Sequence, residues 1–364
     1  MNYLIVIPAL NPKRELIEYV DTLLRHGYPG VLVVDDGSRD DCRSIFDEIA
    51  DKPGCRILRH QANMGKGRAL KDAMRFYIDN CLSDDKENVR FDGIITVDSD
   101  GQHVATDVDK MSAAMSEHPG ALVLGARDFG HRDVPWKSSF GNRCTVVALK
   151  LFIGGSISDT QTGLRGIPNE LIDRFSELRG ERFEYETVML IDAIQSHTDI
   201  VEVPIRTVYI DNNSETHFNP VRDSVRIYRI ILGTFLKYAL SSLSSFIVDY
   251  AIFCGAYYVI AKGGAADSRA VWISTIAARI CSSLFNYTVN KKVVFKSNRG
   301  PETLVMYYCL CIVQMACSAA LVNLVCLSGV IPVQIAKIIV DTLLFLVSYH
   351  IQKKFIFKEE TANG

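Results

Sequence analysis

The chain has 364 residues and a formal net charge of −2. That length allows two domains of ordinary size, and so small a charge gives no general attraction to nucleic acid. The hydrophobic residues, 48% of the total, are unevenly spread: they mix with charges as in a soluble globule up to about Arg229, and long apolar runs dominate from Ile230 onward, which predicts a division into 1–229 and 230–364.

The opening "MNYLIVIPALNPKREL" has no basic n-region, no small-residue cleavage site and too short an apolar run for a signal peptide, so the first half is expected to stay in the cytoplasm. Its "YLIVIP" reads as a buried strand. "KRELIEYVDTLLRHG" is amphipathic with a period near 3.6 and stops at Gly27. "GVLVVDDGS" is a second strand and turn, "DCRSIFDEIAD" a helix, "RILRH" a short strand, "GKGRALKDAMRFYIDN" a helix and "DGIITVDSD" a strand. "TDVDKMSAAMSEH" and "ALVLGARD" continue as helix and strand. Strands alternating with helices predict an α/β domain with a mostly parallel, Rossmann-like sheet, whose ligands sit beyond the carboxyl ends of the strands.

The polar signals fall at those ends: "PALN", "DDGS", "NMGKGR" and "DSDGQH" follow four successive strands. Asp98 and Asp100 stand one residue apart behind the apolar "GII". Two carboxylates so close repel each other, and burial raises the cost, so a positive charge is expected between them. With Gln102 adding an oxygen, the set suits Mg²⁺ or Mn²⁺, hard cations that stay bound to substrate phosphates. Asp35 or Asp36 could accept hydrogen bonds from a base or ribose, with Gly37 making the turn. Asn63 and Lys66 lie where glycines open a helix, a place that favours an anion. The GxxxxGK spacing of a Walker loop is absent, which weighs against an NTPase.

Four apolar stretches follow, about 235–261, 270–289, 304–327 and 330–351, each long enough to cross ~30 Å of hydrocarbon as a helix. Lys291, Lys292, Lys296 and Arg299 follow the second, and Lys353, Lys354 and Lys358 the fourth, whereas the other loops hold only Lys262 and Arg269. By the positive-inside rule this predicts a multi-pass protein of the cell membrane with both termini and the first domain cytoplasmic. Asp249, Arg279, Lys337 and Asp341 fall inside the stretches, where charge is costly. They read either as ion pairs within a helix bundle or as a polar path for an anionic lipid headgroup. Ten cysteines without CxxC pairing, most of them in apolar runs, read as small hydrophobes.

In order, "VIPALN", "VVDDGS", "NMGKGRAL", "TVDSDGQH", "LGARD", "SDTQTGLRG", "ERFEYETVML" and "VPIRTVYIDNNSETHF" resemble a family 2 glycosyltransferase of the GT-A fold, in the branch of polyprenyl-phosphate (dolichol-phosphate mannose synthase-like) sugar transferases. "FLKYALSSLSSFIVDYAIF" and "SSLFNYTVNKKVVF" are similar to a GtrA-type four-span domain. The resemblance implies a metal held by Asp98, Asp100 and Gln102, and a nucleoside bound by Asp36 with Pro8, Ala9 and Asn11 around the base. Where such enzymes often have Asn-Glu, this chain has Asn11-Pro12, with Glu15 a turn later. The acceptor it implies is a polyprenyl phosphate, for whose phosphate, or the donor's diphosphate, Arg127, Lys137, Arg143, Arg165, His217 and Arg222 are the cationic candidates. Glu184 is the candidate catalytic carboxylate beside the metal pair, and Glu186 shares its segment. The expectation is an inverting, metal-dependent transferase that moves a sugar from a nucleotide-diphosphate sugar to dolichyl or undecaprenyl phosphate at the cytoplasmic face; homo-oligomerisation stays open. The alternative is a lipid-linked sugar flippase or transporter whose cytoplasmic domain only binds nucleotide-sugar. A processive polysaccharide synthase is disfavoured, because a QxxRW motif is absent.

Overall fold

The computed structural model describes residues 2–82, 91–127, 136–206, 221–263, 267–327 and 332–358. The chain forms two compact units, Met1–Ile231 and Leu232–Gly364. In the first, β1 (Tyr3–Ala9), α1 (Glu15–Arg25), β2 (Gly30–Asp35), α2 (Arg43–Ala50) and β3 (Cys55–Arg59) alternate as expected. α3 (Lys66–Tyr77), β4 (Gly93–Thr96), α4 (Ala105–Glu117), β5 (Leu122–Arg127) and α5 (Trp136–Phe152) follow. β6 (Arg165–Pro168), α6 (Asn169–Ser176), α7 (Glu184–Gln195), β7 (Ile200–Ile205) and α8 (Arg222–Ile231) complete the unit.

The seven strands form one sheet in the order β3-β2-β1-β4-β6-β5-β7. All pairings are parallel except those of β6, which runs against both β4 and β5. Every residue of β1 is buried, as an uninterrupted apolar strand in a sheet covered on both faces should be. Its side chains alternate between two cores. Ile5 and Ile7 join Leu16 and Val20 of α1, Phe46 of α2 and Met111 of α4. Leu4 and Val6 join Leu70 and Met74 of α3, Phe175 of α6 and Leu190 of α7.

The antiparallel β6 sets the geometry of the site. It starts where β4 ends, with Thr96 opposite Arg165, so the "SDTQTG" segment lies beside the "DSDG" turn. Thr96 Oγ1 donates to the Gly163 carbonyl at 2.8 Å and fixes the two together.

The second unit holds α9 (Gly233–Lys262), α10 (Asp267–Val289), α11 (Glu302–Cys326) and α12 (Val333–Ile351). Three helical stretches among the described residues, Gly233–Lys262, Glu302–Cys326 and Val333–Ile356, are long and apolar enough to cross a membrane. The second expected stretch, 270–289, is helical within α10 but falls outside that group, because Arg279, Ser274, Thr275, Ser282, Ser283 and Asn286 dilute its apolar residues. Large apolar side chains such as Phe246, Trp272, Ile312 and Leu343 are exposed, while Ser241, Asn290, Thr303 and Gln352 are buried. An apolar exterior around a polar interior is the pattern of helices packed in lipid.

α10 and α12 end in matching sequences, "NKKVVFK" from Asn290 and "QKKFIFK" from Gln352, and each opens with a π-helical turn. The matching positions, 62 residues apart, meet: Asn290 Nδ2 donates to Gln352 Oε1 at 3.0 Å, and the rings of Phe295 and Phe357 stack at 5.4 Å. Tyr238 of α9 packs on Tyr349 of α12 at 5.3 Å, and Tyr307 of α11 on Tyr287 of α10 at 5.6 Å. The same two hydroxyls reach Ser348 and Asn286, again matching positions. The two hairpins are thus related by an approximate internal two-fold.

Candidate active site

β4 delivers Asp98 two residues past its end, and Asp98 is held from three sides. Lys66, the first residue of α3, puts Nζ 2.6 Å from Asp98 Oδ1 and 2.9 Å from Glu186 Oε1 of α7. The His103 ring lies on the other oxygen, Nε2 to Oδ2 3.5 Å. Gly163 packs so tightly that a Cβ there would lie 2.2 Å from Oδ2. Burial opposes ionisation of Asp98, but the Lys66 ammonium and His103 hold its carboxyl well below the usual range. Lys66 is correspondingly held above the usual lysine range: burial works against its charge, and Asp98 and Glu186 outweigh it. Asp100 goes the other way, pushed up by burial and by the charge of Asp98, while one oxygen accepts the Gln102 backbone N–H at 3.0 Å. The positive charge beside Asp98 is therefore, in this structure, an ammonium from the third strand-end motif, shared with Glu186 rather than with Asp100.

The turns after β1 and β2 are tied together by the expected residues. Pro8 pairs with Val34, and Ala9 ends β1 with its carbonyl accepting the Asp36 N–H at 2.9 Å. Asn11 has a left-handed backbone (φ 52°). Its N–H donates to Ser38 Oγ, and its Oδ1 accepts the Arg39 N–H, both at 2.9 Å. Asp35 accepts the Ser38 N–H at 2.8 Å. Asp36 is buried, with both oxygens engaged: Oδ1 by His60 Nδ1 and the Met64 N–H, Oδ2 by the Gly65 N–H. It clamps the 60–65 segment, in which Asn63 is exposed, and the backbone there runs so close that a Cβ on Gly37 would lie 2.5 Å from the Asn63 nitrogen.

The expected cations separate into two groups. Arg127, at the end of β5, makes a two-pronged bond to the fully buried Asp159, Nε at 2.6 Å and Nη2 at 2.9 Å. Arg165 is 0% exposed and donates to the carbonyls of Thr162 and Glu186 at 3.0 and 2.7 Å. Arg127 is thus tied to a core carboxylate and Arg165 is closed off from solvent, where the sequence suggested groups that bind a phosphate. Arg143 on α5 and Arg222 at the start of α8 are exposed, and these two helices pack together. His217 and the Lys137 side chain lie outside the described residues. Glu184 faces its own loop and accepts the N–H groups of Glu181 and Arg182 at 3.2 and 3.4 Å. Glu186, two residues on, is the carboxylate that reaches Lys66.

Two site residues escaped sequence reasoning. His103 follows directly on "DSDGQ" and gave a signal by adjacency alone. Tyr19, from α1, has a buried hydroxyl without a hydrogen-bond partner; burial and the charges of Asp98, Asp100 and Asp107 all push its ionisation up.

Both charge pairs expected within the apolar stretches form, each with a serine that reaches its aspartate from an adjacent helix. Arg279 Nε lies 3.7 Å from Asp249, which also accepts from Ser282 Oγ at 2.8 Å. Lys337 lies 3.1 Å from Asp341, and Ser318 Oγ, 2.7 Å from Lys337, donates to Asp341 at 2.6 Å.

Residues 4–175 match the family model of glycosyl transferase family 2, and residues 228–357 that of the GtrA/DPMS transmembrane domain. The chain joins a family 2 glycosyltransferase to a GtrA/DPMS membrane domain. The transferase is 28% identical over 232 residues to an uncharacterised protein of Methanocaldococcus jannaschii, covering 63% of this chain and 90% of that one. It is 25% identical over 245 residues to a UDP-N-acetylglucosamine–dolichyl-phosphate N-acetylglucosaminyltransferase of Methanococcus voltae, covering 63% and 94%. It is 24% identical over 212 residues to a polyprenol monophosphomannose synthase of Mycolicibacterium smegmatis, covering 56% and 76%.

The donor set of the transferase fits a divalent cation. Among the described residues no three His, Cys, Asp or Glu side chains form a closed cage, and the oxygens of Asp98 and Asp100 are the hard donors at the strand end. Two carboxylates and open positions suit Mg²⁺ or Mn²⁺, which complete their shells with water and phosphate oxygens.

Proposed function

We propose that the transferase moves a sugar from a nucleotide-diphosphate sugar to a polyprenyl phosphate on the cytoplasmic side of a membrane, with inversion. The observation that carries this reading is the joining of the Asp98–Asp100–Lys66 strand-end site to a GtrA/DPMS membrane domain in one chain. The names of the relatives, which specify dolichyl phosphate and polyprenol acceptors, support it.

Asp98 and Asp100, with Gln102 beside them, would hold the Mg²⁺ or Mn²⁺, which supplies charge stabilisation for the departing nucleoside diphosphate. The segments clamped by Asp36 and Asn11 form the nucleoside end, with Pro8, Ala9, Asp35 and Asn63 around it. Lys66 opens α3 beside Asp98, so its ammonium stands at a helix start, a place that would favour the donor's phosphates. A lipid phosphate has a second pKa of ~6 and is largely a dianion near neutral pH. It is already a nucleophile: one of its oxygens bonds to the anomeric carbon as the bond from that carbon to the diphosphate oxygen breaks. No proton has to be removed, so Glu186 is assigned to positioning Lys66, and Glu184 to the helix start.

Binding of the acceptor falls to the exposed cations. Arg143 and Arg222 lie on the packed pair α5 and α8, and Lys137 and His217 belong to the segments that precede Arg143 and Arg222. The same helices expose Phe140, Val147, Leu151 and Val225; 140, 147 and 151 share one face of α5. Cations interleaved with an apolar stripe suit the headgroup boundary, where a prenyl chain would lie. Purified full-length protein incubated with labelled nucleotide-sugars and a polyprenyl phosphate should yield a labelled lipid that is sensitive to mild acid. Failure with every donor, on protein that binds nucleotide, would overturn the proposal.

A further inference from the structure

Lys66 occupies a place that the proposed reaction requires to be vacated. Its ammonium lies 2.6 Å from Asp98 Oδ1 and 2.9 Å from Glu186 Oε1, with the side chain 16% exposed. The other Asp98 oxygen is hemmed in by His103 at 3.5 Å and by the Gly163 main chain. The Asp98 side chain is 29% exposed, so a cation can reach it, and it then meets Lys66 on one oxygen and the His103 ring on the other. Arg165 cannot stand in, because it is fully buried, with Nε and Nη1 held by the carbonyls of Thr162 and Glu186.

We infer that Lys66 is an exchangeable internal cation: it neutralises Asp98 while no divalent ion is bound, and the ion displaces it toward the donor's diphosphate. The inference deepens the function proposed above and rests on it for the identity of the donor. The charges agree with it. Asp98, Asp100 and Glu186 oppose Lys66 and Arg165, leaving one negative charge in excess. A dication turns that excess positive, which is the sign a diphosphate needs. Glu186 stays as the second anchor that keeps the displaced ammonium near the site. Such an exchange orders binding, metal before donor, because the lysine is released only when Asp98 has a new partner.

The test uses the full chain in detergent and reads metal binding rather than turnover. Mn²⁺ affinity, measured by electron paramagnetic resonance without nucleotide, should rise on the order of tenfold in Lys66→Gln, the scale of one lost charge-assisted bond. Arg68→Gln, which removes an equal charge from the same helix but is paired with Asp72 at 2.7 Å, should leave that affinity unchanged. In the wild-type protein, which needs no variant to fold, saturating Mg²⁺ should raise acylation of Lys66 by acetic anhydride several-fold. Lys71, paired with Glu181 at 2.7 Å, should show no change, and UDP or GDP should protect Lys66 again. Unchanged or weaker Mn²⁺ binding in Lys66→Gln, an equal effect of Arg68→Gln, or a Lys66 indifferent to Mg²⁺ would overturn the inference. Sugar transfer with any of those results removes the exchange and leaves the function. The predicted metal response without transfer to any lipid phosphate does the reverse.

Discussion

Gly163→Ala separates stability from chemistry at this site. The backbone of Gly163 lies outside the left-handed region, so an alanine fits the main chain. Its Cβ would lie 2.2 Å from Oδ2, 2.5 Å from Oδ1 and 2.6 Å from Cγ of Asp98, against an ordinary contact of 3.4 Å or more. The main chain at 163 is anchored by Thr96 Oγ1 at 2.8 Å, so the carboxylate is what yields, by about 1 Å. Overpacking commonly costs ~1–3 kcal/mol. Here the moving atoms are the end of a side chain, so the expected loss of stability is about 1 kcal/mol or less. A displacement of that size at a reacting centre costs ~100-fold in rate, equivalent to ~2.7 kcal/mol of barrier. Thermal unfolding and transfer of labelled sugar to a polyprenyl phosphate read the two effects separately. Gly141→Ala, whose Cβ meets nothing within 4 Å, serves as control. A Gly163→Ala protein that is folded and transfers at the wild-type rate would refute the placement of Asp98 at the centre of the reaction.

Glu186→Gln should lower transfer by about 100-fold by loosening Lys66, whereas Glu184→Gln should leave transfer within about threefold and cost only ~1 kcal/mol at the start of α7; kcat/KM and melting temperature check both. Asp159→Asn breaks the buried pair with Arg127 and should destabilise the first unit by ~3–5 kcal/mol, read by denaturant unfolding of the membrane-embedded protein with a probe in that unit. In the membrane unit, Asn290→Leu and Gln352→Leu should each destabilise the helices. The double variant should lose less than the sum, because the two side chains satisfy each other across the pseudo-two-fold; additive losses would count against that pairing.

The strands were legible because they are continuous apolar runs punctuated by Gly27 and Gly37, and both glycines do take positive φ, 90° and 73°. Gathering of the strand-end motifs follows from parallel order alone. Strand β6 was not legible: "RGIP" is four residues with a glycine and a proline, and its strand character comes from β4 and β5 on either side. For the same reason Arg165 read as a cation open to a phosphate; only insertion between two strands buries it. The Arg127–Asp159 pair spans 32 residues, beyond any local pattern. Lys66 was read as an anion site from its helix start, and only the folded chain shows it turned to Asp98. In the membrane half, the match of "NKKVVFK" to "QKKFIFK" stands in the sequence, but its meaning depends on Asn290 meeting Gln352. The polar character of 270–289 was outweighed by its length.

The central claim is that Asp98 and Asp100 hold a divalent ion for sugar transfer to a lipid phosphate. It is tested most directly by assaying wild-type, Asp98→Asn and Asp100→Asn proteins for transfer to polyprenyl phosphate across a Mn²⁺ titration. The account predicts metal-dependent transfer in the wild type that chelator abolishes, and loss of at least ~100-fold in both variants at every metal concentration. Equal transfer in the presence of chelator, or undiminished transfer by either variant, would contradict it.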